Sequence, residues 1–534
     1  MNRFWKKTIA FGAALSLALS LSGCRPLSLS AEERTELESE EPEVVIGQSI
    51  GQELAPTYAA DQIFSLNCVS DTSFNPYLTT SAWNKVVAML VYEPLIELDE
   101  TFTAHPNLIT SWETEDGTHW IFRVDTERTF HDGGAMTAMD AVYTLQIAMN
   151  YESGPYFTRF RNVSGVSSID SESFEVSLKT ADYRFYTLLD VPCVEYDTGF
   201  NDRPPGTGAY AFSSSGRYLR LVKDHPKAAD MPLDTIHLKE YSAAVDILQA
   251  FEDSYLDLVI NDPNGMSSLG YSSTNIIKYV NTSSMHYLGY NTSRSVFAQP
   301  AFRLMMTYII DRATIISEVM KGAGSAVTVP VAPQSPLYPD AFAQTLAYSP
   351  STVETAIHNL GAQDLDGDGV FEIGGMAYTI DFICCSDSST KVAIARTIAK
   401  ALQDAGFGVT LRELSYDDYR EALKKGNFDI YYAEVRLCAD WDLSLLLGSG
   451  QDLNFGNVRD AALDELLARF KTCTDAELPE VSQQLYSYIG QNGVITPICF
   501  EKSEVLYHRG VLSGLSPTQD NVFYGMENWT VDLQ

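Results

Sequence analysis

The chain has 534 residues, with 70 acidic side chains against 36 basic ones, a formal net charge of −34 and 45% apolar residues. Such acidity argues against nucleic acid and anionic lipid headgroups as partners, because phosphate binding requires clustered Lys and Arg. The length and apolar share fit a folded chain of several structural units.

The N-terminus carries Arg3, Lys6 and Lys7 with no acid, then an apolar run over residues 9–21 that ends in Leu21-Ser22-Gly23-Cys24. This is the pattern of a secretory signal with a processing site. The run is too short to span a hydrocarbon core of about 30 Å, and no later stretch is both long and apolar enough. The small residues before Cys24 resemble the bacterial lipobox, which implies lipidation of the Cys24 sulfur, cleavage of residues 1–23 and anchorage by acyl chains. Residues 24–58 are rich in glutamate and hold no aromatic residue before Tyr58. Such a segment cannot bury enough apolar surface to offset its ordering entropy, so it reads as a flexible tether.

Beyond the tether the composition becomes globular. In chain order, apolar residues recurring at three and four predict helices over 83–92, 138–149, 300–320, 389–405, 416–425, 461–471 and 476–491. Strand patterns fall at 120–124, 173–178, 218–223, 285–290, 377–384 and 429–435. No repeat of fixed period interrupts them. The class is mixed α/β with more than one lobe.

One segment is specific in order and spacing. After Asp116-Gly117 and the strand pattern Trp120-Ile121-Phe122-Arg123-Val124 comes Phe130-His131-Asp132-Gly133-Gly134-Ala135-Met136-Thr137-Ala138-Met139-Asp140-Ala141-Val142-Tyr143. Physically it reads as strand, tight turn and helix start: Asp132-Gly133 suits the turn, and Thr137 with Asp140 three residues on suits a helix cap. The segment resembles the bacterial extracellular solute-binding proteins of family 5, the oligopeptide- and dipeptide-binding proteins of ABC importers. Further matches follow in that family's order: Ser73-Phe74-Asn75-Pro76, Tyr92-Glu93-Pro94-Leu95, Gly206-Thr207-Gly208-Ala209-Tyr210, Asn291, Phe302-Arg303, Ile310-Asp311-Arg312, Gly322, Asn454-Phe455-Gly456-Asn457, Asp464 and Pro497.

The resemblance implies a two-lobed periplasmic-binding-protein-like α/β fold (type II, cluster C) of three domains that close about a hinge. The first would be split over 59–96, 203–288 and 504–534, with 97–202 as the second and 289–503 as the third, forming the opposing lobe. It implies a monomeric, extracytoplasmic binding protein, held at the cell membrane by its lipid, whose partners are a short peptide and the permease subunits of an ABC importer. His131 is structural in that family and is not a site residue.

Cys438-Ala439-Asp440-Trp441, after the apolar run 430–435, resembles the sequence that ends a second-lobe strand in oligopeptide-binding relatives. Carried over, Asp440 receives the peptide α-ammonium, Arg436 and Cys438 offer main-chain hydrogen bonds, and Trp441 is counted with them at the ligand. Arg436 stands where the relatives hold Gly, and Asp442-Leu443-Ser444 stands where they hold Asn-Glu-Pro. A bulky cation there narrows the groove or engages a ligand carboxylate. The same transport role with a nickel complex, haem, opine or sugar is the alternative within the family.

Other motifs carry less. Gly206-Thr207-Gly208-Ala209-Tyr210-Ala211 follows Pro204-Pro205 instead of a strand, which favours a turn over a dinucleotide site. Asp364, Asp366 and Asp368 alternate as in a calcium loop, but its twelfth position is Gly375, so a plain surface turn is favoured. The sequence holds no H-e-x-x-H-type metal pair or G-x-S-x-G, so no catalytic residue, cofactor or metal is assigned, and a hydrolase without a recognisable motif is the rival class. A purely structural surface lipoprotein is the second rival. The seven cysteines beyond Cys24 show no C-x-x-C spacing, and their pairing is not fixed by sequence.

Overall fold

The computed structural model describes residues 63–263, 269, 275–359, 361–373 and 375–533. The signal, Cys24 and the acidic tether fall outside these residues. The backbone of the molecule is an eleven-stranded mixed sheet shared by two lobes. In the first lobe, Leu258–Asn261, Ser65–Cys68, Thr235–Glu240, Tyr218–Leu221 and Tyr210–Phe212 lie side by side. In the second, Ile430–Arg436, Thr379–Cys385 and Gly408–Leu414 do the same.

Two long antiparallel strands, Ile276–Tyr290 and Ile495–Tyr507, run through both lobes. The first half of Ile276–Tyr290 pairs with residues 502–507, and its second half pairs with both 495–500 and Ile430–Arg436. Their register breaks between Asn281 and Met285. There side chains replace the ladder: the Thr282 hydroxyl donates to the Glu501 carbonyl at 2.8 Å and the Ser283 hydroxyl to the Leu437 carbonyl at 2.7 Å. The Ser283 N–H in turn donates to the Gln519 side-chain oxygen at 2.6 Å, so side chains take over from strand partners where the ladder is interrupted.

The hydrophobic cores divide in the same way. One cluster gathers residues 64–258 with Val280 and 505–529, a small one gathers residues 247–269 with Leu506, and two others gather residues 285–500, to which the first lobe adds Phe102. A separate four-stranded antiparallel sheet, in the order Ile109–Thr114, His119–Val124, Ser173–Leu178, Val163–Ser168, extends the first lobe. Strand His119–Val124 alternates exposed and buried residues; its inward Trp120 stacks on Phe122, and Phe122 on Phe174. This is the pattern of an antiparallel sheet with one packed face. No described helix is long and apolar enough to cross a membrane.

The 130–143 segment folds as its sequence implies. Helix Ala138–Asn150 starts at Thr137, whose N–H and hydroxyl both donate to the Asp140 carboxylate, at 2.8 and 2.7 Å. His131 is structural: its N–H donates to the Gly206 carbonyl at 2.9 Å and its Nε2 to the Gly208 carbonyl at 2.8 Å. Gly208 lies so close to helix Ala82–Val91 that a Cβ would sit 2.4 Å from the Leu90 carbonyl oxygen. The Gly206–Gly208 pair is therefore a close-packed turn.

The helix expected over 300–320 is a correction. It stops at Ile309 and resumes as a short turn Arg312–Thr314 and a wide turn Ile315–Val319. Buried Arg312 donates to the carbonyls of Thr307 and Pro497, at 3.0 and 2.9 Å, and the Asp311 carboxylate caps Thr314. Satisfying this buried guanidinium from a distant strand outweighs continuation of an apolar helical pattern. The remaining predicted helices and strands are present, with ends shifted by a few residues; the strand expected at 285–290 is the last part of Ile276–Tyr290.

Candidate functional site

A cleft of about 790 Å³ lies between the lobes, and its walls come from four stretches far apart in sequence: 76–98, 155–192, 435–471 and 518–521. The second-lobe wall begins on strand Ile430–Arg436. The Leu437 N–H donates to the Ser283 carbonyl and the Asn291 N–H to the Asp429 carbonyl, both at 3.0 Å. By strand alternation the odd-numbered residues face the spanning strand, and Arg436 and Cys438 turn their main-chain groups to the opposite edge. On that edge Thr379–Cys385 pairs only with Ile430 and Tyr431. Arg436 thus presents main-chain groups with no further strand beside them among the described residues. The Cys438 carbonyl is already used, accepting from the Trp441 N–H at 3.0 Å.

The chain then turns through Trp441, a non-glycine residue at φ +55°. That conformation costs of order 1–2 kcal/mol and persists where packing over-determines it. Here the indole is 2% exposed and sits edge-on to Phe102 of the first lobe and Phe500, with ring centroids 5.2 and 5.8 Å away. Trp441, expected beside the ligand, does not line the cleft: the left-handed turn sends its ring into the core. The same turn leaves Asp440 on the cleft wall.

Asp440 is 5% exposed, and its Oδ1 accepts from the Asp442 N–H at 3.1 Å. Burial, followed by the nearby Asp442 and Asp182 carboxylates, pushes its carboxyl up from the usual 3.8 to about 7. Lys471, in the last turn of helix Ala461–Thr472, donates to Asp442 at 2.9 Å and lies 3.4 Å from Asp182. Burial raises Asp182; it works the same way on Asp442, but Lys471 and the Ser444 hydroxyl outweigh it and hold that carboxyl below its usual value. Three carboxylates therefore surround one ammonium. The arrangement can accept one more cation, and Asp440 is the member without its own positive partner.

Other ion pairs line the cleft. Arg159 pairs with Asp190 beneath the ring of Tyr156, Arg161 with Asp452 at 2.9 Å, and Arg436 with Asp520 at 2.9 Å. The last two join one lobe to the other. A third bridge is buried: the Arg184 guanidinium lies 4.3 Å from the Phe470 ring centroid and donates to the Phe470 carbonyl, where the C-terminal end of Ala461–Thr472 favours a cation. Sequence reasoning missed Glu97, Arg159, Asp182, Asp190, Lys471 and Asp520, which carry no local motif. Asp442 showed only as a departure from the family pattern.

Two further clusters lie elsewhere. Asp364, Asp366 and Asp368 form an exposed turn whose carboxylates accept the N–H groups of Gly367, Asp368, Gly369 and Val370. His286, Glu434 and Glu501 come together near the register break, where His286 Nε2 lies 2.6 Å from Glu501, Nδ1 bonds the Tyr432 hydroxyl and Lys391 pairs with Glu434. These contacts form a closed network. The seven cysteines beyond Cys24 are all free thiols.

Comparison with known proteins extends this picture. The family described as bacterial extracellular solute-binding proteins, family 5 (middle region), matches residues 103–442. The oligopeptide-binding protein AppA of Bacillus subtilis is 22% identical over 495 residues, covering 86% of this chain and 89% of its own. The structure of that protein in complex with a nonapeptide superposes with a TM-score of 0.61 at 20% identity, over 88% of this chain and 98% of its own. A nickel ABC transporter structure from Bacillus halodurans gives a TM-score of 0.72 at 20% identity, over 86% and 98%.

Proposed function

We propose, from the premise that this chain belongs to family 5 of the bacterial extracellular solute-binding proteins, that it is the substrate-binding lipoprotein of an ABC importer and captures short peptides between its lobes for a membrane permease. The observation that carries the reading is Asp440, a buried carboxylate without a cation of its own, on a cleft wall four residues after an open strand edge at Arg436. A peptide laid along that edge as an added strand would draw affinity from main-chain hydrogen bonds. Its α-ammonium would give Asp440 the positive partner that Lys471 already gives Asp442 and Asp182. Contacts to both walls would favour the closed arrangement of the lobes. A metal complex finds less here: among the described lining residues none is histidine, and burial pushes the Cys438 thiol up to about 12, so it stays protonated. The split into three domains inferred from the family pattern is part of this reading, as is lipidation of Cys24. Loss of detergent partitioning in Cys24→Ser is the expected result for the anchor, and unchanged partitioning would refute it.

The test of the ligand is a double-mutant cycle by calorimetry. Asp440→Ala should weaken binding of free-amine peptides by about 2–5 kcal/mol, since it leaves a buried ammonium unpaired. N-acetylation of the peptide should cost wild type a comparable amount and cost Asp440→Ala little more. Simple additivity of the two losses, or equal binding of acetylated peptides by wild type, would overturn the assignment.

A further inference from the structure

Seven acidic and five basic side chains line the cleft. The ion pairs described above commit four of the bases and five of the acids. The fifth base, Lys85, is exposed. Of the two remaining acids one is Asp440, already matched to an α-ammonium. The other is Glu97.

Glu97 is the middle residue of strand Ile96–Leu98, between two buried apolar neighbours, and lines the cleft. It makes no ion pair among the described residues. Its carboxylate accepts a hydrogen bond from the neutral Asn521 amide at 3.3 Å, and Lys227, the cation that acts on it most, is paired with Glu527 at 3.8 Å. Burial raises its carboxyl above the usual value. A half-buried carboxylate on a cavity wall is most stable when something positive arrives to neutralise it. Glu97 and Asp440 are also held from different parts of the chain: Glu97 by Asn521 on the first-lobe side, Asp440 by Asp442 in the second-lobe turn. The charges that act on Glu97 are those of Lys227, Glu93 and Glu527, and those that act on Asp440 are those of Asp442, Asp182 and Lys471, so the two carboxylates have separate charged surroundings. The chain's net charge of −34 adds a long-range attraction for cationic ligands.

We propose that Glu97 forms a second cation subsite, one that takes the ammonium or guanidinium of a basic side chain, so that the preferred ligands are peptides with a lysine, ornithine or arginine besides a free N-terminus. This rests on the peptide reading above and specifies its substrate class. The two acids then act as a pair of fixed negative points, and the distance between them selects the position of the basic residue along the peptide.

The experiment is calorimetry of wild type and Glu97→Gln with alanine tri- to pentapeptides in which one lysine, or one norleucine of similar shape, is placed at each position in turn. At one position lysine should bind wild type at least about tenfold more tightly than norleucine, and that ratio should fall to about one in Glu97→Gln. The ratio is internal to each protein, so a change in active fraction does not affect it. Rescue is expected from Glu97→Asp, which should restore part of the preference. If the peptides bind but lysine is preferred nowhere, or the preference survives in Glu97→Gln, the subsite is overturned while the peptide reading stands. If none of the peptides binds wild type, both fall together.

Discussion

Two aspartate-rich turns, 364–369 and 438–444, have similar chemistry in sequence and opposite fates in the fold. In the first, Asp364, Asp366 and Asp368 are exposed and spend their carboxylates on the N–H groups of their own loop. In the second, Asp440 and Asp442 lie on a buried wall beside Asp182; Lys471 pairs with Asp442 and Asp182, and Asp440 is left with a carboxyl pushed up to about 7. Water and local N–H groups neutralise the first turn at little cost. The second is neutralised by a residue of another helix, and incompletely. Burial decides which acid cluster can bind a charged ligand, and the composition of the turn does not.

The strongest way to break this comparison is to remove the shared cation. Lys471→Met should destabilise the ligand-free protein by roughly 2–4 kcal/mol at pH 8, toward the lower end for a buried pair because the side chain is 21% exposed. Asp364→Asn should change stability by less than about 0.5 kcal/mol, as for an ordinary surface site. Thermal unfolding of the two variants checks both, and equal effects would dissolve the distinction.

A smaller effect follows from pH. The carboxyl of Asp440 is raised in the fold, so the folded chain holds its proton more tightly than the unfolded one. Its contribution to stability is complete below the usual value of 3.8 and is lost as pH rises through about 7. Urea midpoints of the ligand-free protein between pH 4 and 8 should fall more steeply in wild type than in Asp440→Asn. An arriving ammonium reverses the preference by stabilising the carboxylate. Peptide binding near pH 6 should therefore release a proton, visible as a buffer-dependent calorimetric enthalpy that Asp440→Asn abolishes.

How much of this was legible before folding depends on the reach of the interactions. The Thr137-Asp140 cap, the Asp132-Gly133 turn and the amphipathic helices were readable because their partners lie within a few residues. The Cys438-Ala439-Asp440 motif was legible through its resemblance to relatives, and the structure puts Cys438 and Asp440 on the cleft wall. The break at Asp311-Arg312 was hidden, since the carbonyl that receives the buried guanidinium belongs to Pro497, on another strand. The inward turn of Trp441 was hidden as well, because Phe102 and Phe500, which hold its ring, are hundreds and tens of residues away.

The sequence by itself determined the mixed α/β class, the order of most helices and strands, the family pattern and the candidacy of Asp440. The class and the element order rest on periodicity and capping, which act over a turn or two of chain, and the candidacy of Asp440 rests on the resemblance of its motif to relatives. Only the tertiary structure decided that Lys471 and Asp182 would flank Asp440, that Arg184 would bridge to Phe470, and that Glu97 would be left on the cleft wall without a cation. A buried charge takes its energy from whatever surrounds it in space, and those surroundings come from segments that meet only when the two lobes are built on their shared strands.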